Sequence, residues 1–164
     1  MILQKILQSV VFGNNLSEQE MMDAMTQVMN GKVSDIQLAA FLTALQVKEE
    51  TVPEIVGAAK VMRDKSEKVK VKASNIIDTC GTGGDGADTF NISTAVAFVV
   101  AGASVTVAKH GNRAVSSKSG SADVLQCLGV NIDASLETVE RCIEEVGIGF
   151  LFAPLMHKAM KHAV

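Results

Sequence analysis

The chain has no tryptophan and no tyrosine, and only six phenylalanines among its 164 residues. Binding of single-stranded nucleic acid relies on stacking bases against aromatic rings, so that function has little material here. An excess of basic residues is missing too. Fifteen Lys and Arg against eighteen Asp and Glu give a net charge of −3, which argues against a general polyanion binder and against nucleic acid as a partner. No apolar run reaches the length of a membrane span, so no membrane association is expected. The N-terminal MILQKILQSVVFG interleaves polar with apolar residues and lacks a small-residue cleavage site. It reads as a first helix, not as a signal peptide. Cysteines are few. Cys80, Cys127 and Cys142 are odd in number and far apart, which suits reduced thiols in a cytoplasm and no zinc site.

Residues 1–72 read as helices throughout. Ile2, Leu3, Ile6, Leu7, Val10 and Val11 follow helical spacing up to Gly13. Ser17 with Glu20, Ser34 with Gln37 and Thr51 with Glu54 are three capping boxes, each ahead of an apolar stripe. The stripes are Met21, Met22, Met25 and Val28; then Leu38, Phe41, Leu42 and Leu45; then Ile55, Ala58, Ala59 and Met62. A Met-rich stripe can line a binding groove, but at helical spacing core packing is the better reading. The Lys-rich run from Lys60 to Lys72 reads as a solvated helix end and linker. A domain boundary is therefore placed near Ala73.

From 73 to 164 the pattern alternates. Strands are expected at 75–79, 104–108 and 149–153, with a short extended piece at 130–132. Helices are expected at 93–103, 122–128, 135–146 and 156–163. The apolar AVAFVVAGA should form a buried helix, and Asn75-Ile76-Ile77 a buried strand. Alternation of this kind gives right-handed βαβ units and a parallel sheet. The expected fold class is α/β: an all-helical N-terminal part followed by part of a mainly parallel α/β domain.

Two loops carry the chemistry. The first, DTCGTGGDGADTFNIS, places Gly81, Gly83, Gly84 and Gly86 between a strand and a helix N-terminus. Glycines permit close backbone approach to a ligand. Successive N–H groups and a helix N-terminus favour an anion. A tight glycine turn is the bland alternative, but Thr82, Asp85, Thr89, Asn91, Ser93 and Thr94 add a dense set of oxygens. The loop matches neither G-x-x-x-x-G-K-[ST], for want of a Lys, nor G-x-G-x-x-G. The second loop, Lys109–Asp123, follows the next strand. Between Ser104 and Ala122 there is no Asp or Glu, while Lys109, His110, Arg113 and Lys118 supply cations. Ligands of parallel sheets sit at the carboxyl ends of strands, so both loops can share one crevice. A phosphorylated ligand is expected there.

GTGGD at Gly81–Asp85, NIST at Asn91–Thr94, KHGNRAVSSKSGSADVL at Lys109–Leu125 and FLFAP with the following His in Phe150–His157 resemble anthranilate phosphoribosyltransferase. The resemblance covers the whole chain. It implies transfer of the phosphoribosyl group of phosphoribosyl pyrophosphate to the amine of anthranilate, in tryptophan biosynthesis. It also implies a Mg²⁺ cofactor and a homodimer formed through the helical domain. The phosphoribosyl pyrophosphate site it implies comprises Gly81, Gly84, Asp85, Thr89, Asn91, Ile92, Ser93, Thr94, Lys109, His110, Gly111, Asn112, Arg113, Ala114, Val115, Ser116, Ser117 and Ser121. Anthranilate would meet Gly81, His110, Asn112 and His157, and Ser93 would lend its oxygen to the metal. No catalytic acid or base is assigned. The family's further Mg²⁺-binding acidic pair and an anthranilate-binding Arg fall beyond Val164. A pyrimidine nucleoside phosphorylase-like enzyme and a non-catalytic helical dimerisation module remain open as alternatives.

Overall fold

The computed structural model describes residues 2–81, 90–114 and 119–163. The chain forms two compact units. One comprises Met1–Ser66 together with His157–Val164, the other Glu67–Met156.

In the first unit α1 (Ile2–Val11), α2 (Glu18–Met29), α3 (Asp35–Lys48) and α4 (Val52–Lys65) follow the capping signals of the sequence. The Ser17 box closes: the Glu20 N–H donates to Ser17 Oγ at 3.3 Å, and Glu20 Oε2 accepts from the Ser17 N–H at 2.8 Å. Ser34 and Gln37 repeat the arrangement. Helix α1 packs on α2 and α3, and α2 on α4. Leu3, Ile6, Val10, Leu16, Met21, Ala24, Phe41 and Leu45 form one core cluster. Val28, Met29 and Val61 form a second, against which Ala159, Met160 and Ala163 pack. The methionine stripe is core: Met21 and Met29 are buried.

Helix α4 departs from expectation. Its buried face is Glu54, Gly57 and Val61, while Ile55 is exposed. Two causes act. A Cβ at Gly57 would stand 2.5 Å from the Glu18 carbonyl oxygen and 3.0 Å from Met21 Cβ, so the glycine lets α2 and α4 approach closely. Glu54, fully buried, does more than complete a capping box with Thr51. Its carboxylate accepts from the Leu16 N–H (2.8 Å), the Lys48 ammonium (2.9 Å), and the Thr51 N–H and hydroxyl (2.7 and 2.8 Å).

The second unit contains a three-stranded parallel sheet in the order β1 (Ile76–Ile77), β2 (Thr106–Gly111), β3 (Ile148–Phe152). Ile76 faces Thr106, and Lys109 faces Phe150. Helix α5 (Ile92–Gly102) joins β1 to β2. Helix α6 (Ser121–Cys127), helix α7 (Leu136–Arg141) and a π turn (Cys142–Val146) join β2 to β3. The α/β class and the parallel sheet stand as expected. Residues 130–132 form no strand; Ile132 instead packs with Ala122, Leu125 and Phe152. The expected buried strand at 75–77 is an exposed two-residue edge, since among the described residues β1 pairs only with β2. Helix α5 buries only Thr94 and Ala97 among the described residues, and Val99 is 72% exposed. The composition that suggested a buried helix is apolar all round, and the sheet covers one side of it.

The Lys-rich run is not a free linker. The Glu67 N–H donates to the Met156 carbonyl at 2.8 Å, Lys70 N–H to Glu140 Oε1 at 2.7 Å and Lys72 N–H to Glu144 Oε1 at 3.0 Å. Backbone groups thus fasten 67–72 to the α/β unit, while the lysine side chains gave the run its solvated look. The expected helix at 156–163 breaks at His157, between α8 (Ala153–Met156) and a 3₁₀ turn (Lys158–His162).

Burial by itself pushes the Glu54 pKa up. The bonds from Leu16, Lys48 and Thr51 outweigh it and lower the pKa from 4.5 to about 2. A depressed carboxylate stabilises the fold above its unfolded pKa. That contribution is lost as pH falls from about 4.5 towards about 2. Glu54→Ala leaves the Lys48 ammonium with only the neutral Asn15 side-chain and Glu49 carbonyl oxygens. It also leaves the Leu16 and Thr51 N–H groups without their acceptor, and should cost about 3–5 kcal/mol. Denaturant melts across this window are expected to show a Glu54-dependent slope in the parent chain and none in the variant.

Candidate phosphate-binding site at the strand ends

Strands β1 and β2 are adjacent and parallel, so the loops leaving them start from one edge of the sheet. Thr79, just past β1, donates its hydroxyl to the Ser93 carbonyl at 2.8 Å. That bond fixes the first turn of α5 beside the strand end. The helix is capped by Asn91 through its backbone alone, and Ile92, Ser93 and Thr94 fill its first positions. The helix therefore begins one residue earlier than expected.

Lys109 lies on the central strand with only 3% of its surface exposed. Strand alternation turns it to the same side as buried Val107, the side on which α5 packs. Its ammonium donates to Ser93 Oγ at 3.2 Å. Burial pushes its pKa down, against the pull of the nearby Asp78 carboxylate. A neutral hydroxyl is poor compensation for a buried cation, and an anion would be better. Next to it, Thr94 Oγ1 is buried without a hydrogen-bond partner among the described residues. Buried hydroxyls are rarely left so, and a ligand oxygen would satisfy this one.

Beyond β2 the backbone turns tightly. Asn112 O accepts from the Ala122 N–H at 3.1 Å and the Ser121 hydroxyl at 3.3 Å. Asn112 Oδ1 accepts from the Arg113 N–H at 2.8 Å. A Cβ at Gly120 would fall 2.5 Å from the Arg113 carbonyl carbon and 2.6 Å from Asn112 O. One at Gly111 would collide with Ser121 Oγ and press on the edge of the Phe150 ring. Asp123 gathers the loop: its carboxylate accepts from the Gly120 N–H (2.8 Å), the Ala114 N–H (3.0 Å) and the Arg113 guanidinium (3.0 Å). The Gly120 and Ala114 bonds, and then Arg113, hold its pKa below the usual carboxylate value. Arg113 also lies over the Phe152 ring, 5.9 Å from its centre. The positive field expected from this loop is accordingly narrower, because Asp123, one residue past the acid-free window, already pairs Arg113.

Gly81, Asn91, Ile92, Ser93, Thr94, Lys109, His110, Gly111, Asn112, Arg113, Ala114 and Ser121 all lie in the α/β unit. Gly84, Asp85, Thr89, Val115, Ser116 and Ser117 fall outside the described residues. His157 belongs to the helical unit, with Met29, Met62 and Lys65 around it, whereas His110 belongs to the α/β unit. Asp78 and Asp123 escaped the sequence reading. Asp78 Oδ1 accepts from the Cys80 N–H at 2.9 Å and the His110 N–H at 3.1 Å. Each acid follows or precedes a glycine-rich loop by a few residues, which was the available signal.

For Mg²⁺, no cluster of three or more His, Cys, Asp or Glu able to hold a metal occurs among the described residues. Ser93 Oγ is a hard oxygen, but a neutral one beside an ammonium. Mg²⁺ keeps phosphate oxygens and waters as most of its ligands. The site therefore fits the ion as one supplementary donor to a metal–phosphate complex.

Residues 73–164 match the glycosyl transferase family, a/b domain, and residues 4–66 its helical bundle domain. The chain belongs to this glycosyl transferase family. Within it, the similarity is to anthranilate phosphoribosyltransferase, as the motifs implied. The protein of that name from Acetivibrio thermocellus is 58% identical over 162 residues, covering 99% of this chain and 47% of the relative. The Thermus thermophilus anthranilate phosphoribosyltransferase has a TM-score of 0.87 at 43% identity, covering 96% of this chain and 48% of that one. The Saccharomyces cerevisiae protein, solved in complex with PRPP and Mg, has a TM-score of 0.86 at 30% identity, covering 98% and 48%. The chain thus spans about half the length of the relatives it matches.

Lys109→Met keeps the volume of the buried lysine and removes its charge. The thermal midpoint should hold or rise, while affinity for inorganic pyrophosphate falls at least about tenfold. Scanning and titration calorimetry read the two effects. A lowered midpoint with unchanged affinity would assign the ammonium to the fold alone.

Proposed function

We propose that this chain supplies the helical part and the phosphoribosyl pyrophosphate-binding part of an anthranilate phosphoribosyltransferase in the cytoplasm. The carrying observation is the buried Lys109 ammonium 3.2 Å from Ser93 Oγ at the N-terminus of α5. A pyrophosphate there would meet an ammonium, the helix N–H groups and the unpartnered Thr94 hydroxyl. The yeast relative in complex with PRPP and Mg supports the choice of ligand. In the transfer, the bond from ribose C1 to pyrophosphate breaks and a bond from the anthranilate nitrogen forms. The amine's proton leaves to solvent afterwards, so no general base is needed. Charge grows on the departing phosphate oxygens, and fixed donors aimed at them stabilise it. Mg²⁺, with Ser93 as one ligand, would add charge at those oxygens. Asn112 and Gly81 border the loop edge where the amine would approach.

Loss of anthranilate fluorescence in the presence of PRPP and Mg²⁺ tests the reaction. A parent chain of the relatives' length should turn over. The 164-residue chain should bind inorganic pyrophosphate, read by titration calorimetry. Turnover with uridine and phosphate instead would support the nucleoside phosphorylase reading.

We further propose a homodimer through the helical unit. Between α1 and α3 runs a groove of about 630 Å³ lined by Val11, Ala39, Ala40, Thr43 and Val47. Val11, Phe12, Ile36 and Val47 stand exposed around it. An apolar face of this kind suits a two-fold copy of itself. No helix of the described residues is long and apolar enough to cross a membrane. Light scattering should give a dimer, and Val47→Glu a monomer. A monomeric parent chain would refute the interface.

A further inference from the structure

The strand β1 stops at Ile77, while its neighbour β2 continues to Gly111. Alternate residues of β2 turn their ladder groups to the β1 side, Val107 donating instead to Gly147 O on the β3 side. Where β2 runs past β1 the half-buried N–H groups need other acceptors. His110, half-buried, is one such residue. Its N–H meets no β1 carbonyl; it donates to Asp78 Oδ1 at 3.1 Å. The same oxygen accepts the Cys80 N–H at 2.9 Å, two residues along its own chain. One carboxylate oxygen thereby replaces the missing strand and starts the turn into the glycine loop. The adjacent Thr79 hydroxyl donates in the other direction, to Ser93 O at 2.8 Å.

Asp78 and Thr79 thus reach the two elements that carry the anion-binding groups. Asp78 holds β2 at the residue after Lys109. Thr79 holds α5 at the residue whose Oγ accepts from Lys109. We propose that Asp78 and Thr79 are positioning residues that set the spacing between Lys109 and the first turn of α5 for a pyrophosphate ligand. Neither touches the ligand. The proposal rests on the pyrophosphate reading of the site.

The brace predicts which chemical changes are tolerated. Asn offers the same acceptor oxygen as Asp, and Ser the same hydroxyl as Thr. Asp78→Asn and Thr79→Ser should keep the geometry, whereas Asp78→Ala and Thr79→Val should lose it. In the 164-residue chain, titration calorimetry with inorganic pyrophosphate should show affinity lowered about tenfold in Asp78→Ala and in Thr79→Val, and within about threefold of the parent in the two conservative variants. Hydrogen exchange adds a readout independent of any ligand: the His110 amide should lose protection in Asp78→Ala and keep it in Asp78→Asn. Thr79→Val is nearly isosteric, so it decides the matter if Asp78→Ala does not fold. Parent-like affinity in Thr79→Val and Asp78→Ala would overturn the proposal while leaving the phosphate site standing. So would equal losses in the conservative and disruptive variants, since a general stability defect would then suffice. Failure of the unmodified chain to bind pyrophosphate would remove the phosphate reading and this inference with it.

Discussion

A buried ammonium on the central strand of a parallel sheet must be answered by opposite charge or by a dense set of acceptors. Lys109 meets one hydroxyl directly, and the Asp78 carboxylate at longer range. The rest of the strand-end architecture follows from that arrangement. The β1 strand leaves the sheet early, α5 begins close by, and Thr79 holds its first turn in place. The second loop is folded back by Asp123 and by glycines at positions where a Cβ would collide. An apolar side chain at 109 would relieve the burden on folding, so the lysine is a cost to stability in the free chain. Stability given up at a site and recovered on ligation is a common pattern in binding proteins.

The helical unit solves a different problem with similar means. Glu54 is a carboxylate at the heart of the bundle, yet each of its oxygens is occupied by donors from Leu16, Lys48 and Thr51. Those donors come from the α1–α2 connection, the end of α3 and the start of α4. One side chain therefore fixes three connections that apolar packing alone would leave free to slide. Gly57 completes the fit by letting α4 approach α2. The two devices explain why the buried face of α4 is not its most apolar one.

The local signals in the sequence translated well. Ser17–Glu20 and Ser34–Gln37 closed as capping boxes, and Gly147, in the left-handed region at φ 83°, ended the helical run before β3. These features need only near neighbours to act. The parallel pairing of the strands was legible through their alternation with helices. Features that depend on distant partners were not. Asp123 lay one residue past the window searched for acids, and its pairing with Arg113 narrowed the expected field. The exposed side of α5 could not be foreseen because composition does not say which faces are covered. Lys70 and Lys72 looked solvated, since their backbone bonds to Glu140 and Glu144 leave no trace in residue type. The motif wording carried the family, and the strand-end geometry supplies the physical reason for that wording.

The chain leaves the helical unit after Ser66 and returns to it at His157, and a hydrogen bond between Glu67 and Met156 joins the two crossing points. During synthesis the first four helices emerge well before the segment that completes their second core cluster around Val28, Met29 and Val61. That segment, with Ala159, Met160 and Ala163, can arrive at its place only by closing a loop the size of the whole α/β unit. Closing so long a flexible loop carries an entropic penalty that grows with its length. A folded α/β unit, whose ends already meet, removes that penalty in advance. The order of assembly is thereby biased: the inserted unit folds, its ends come together, and the helical unit is completed last.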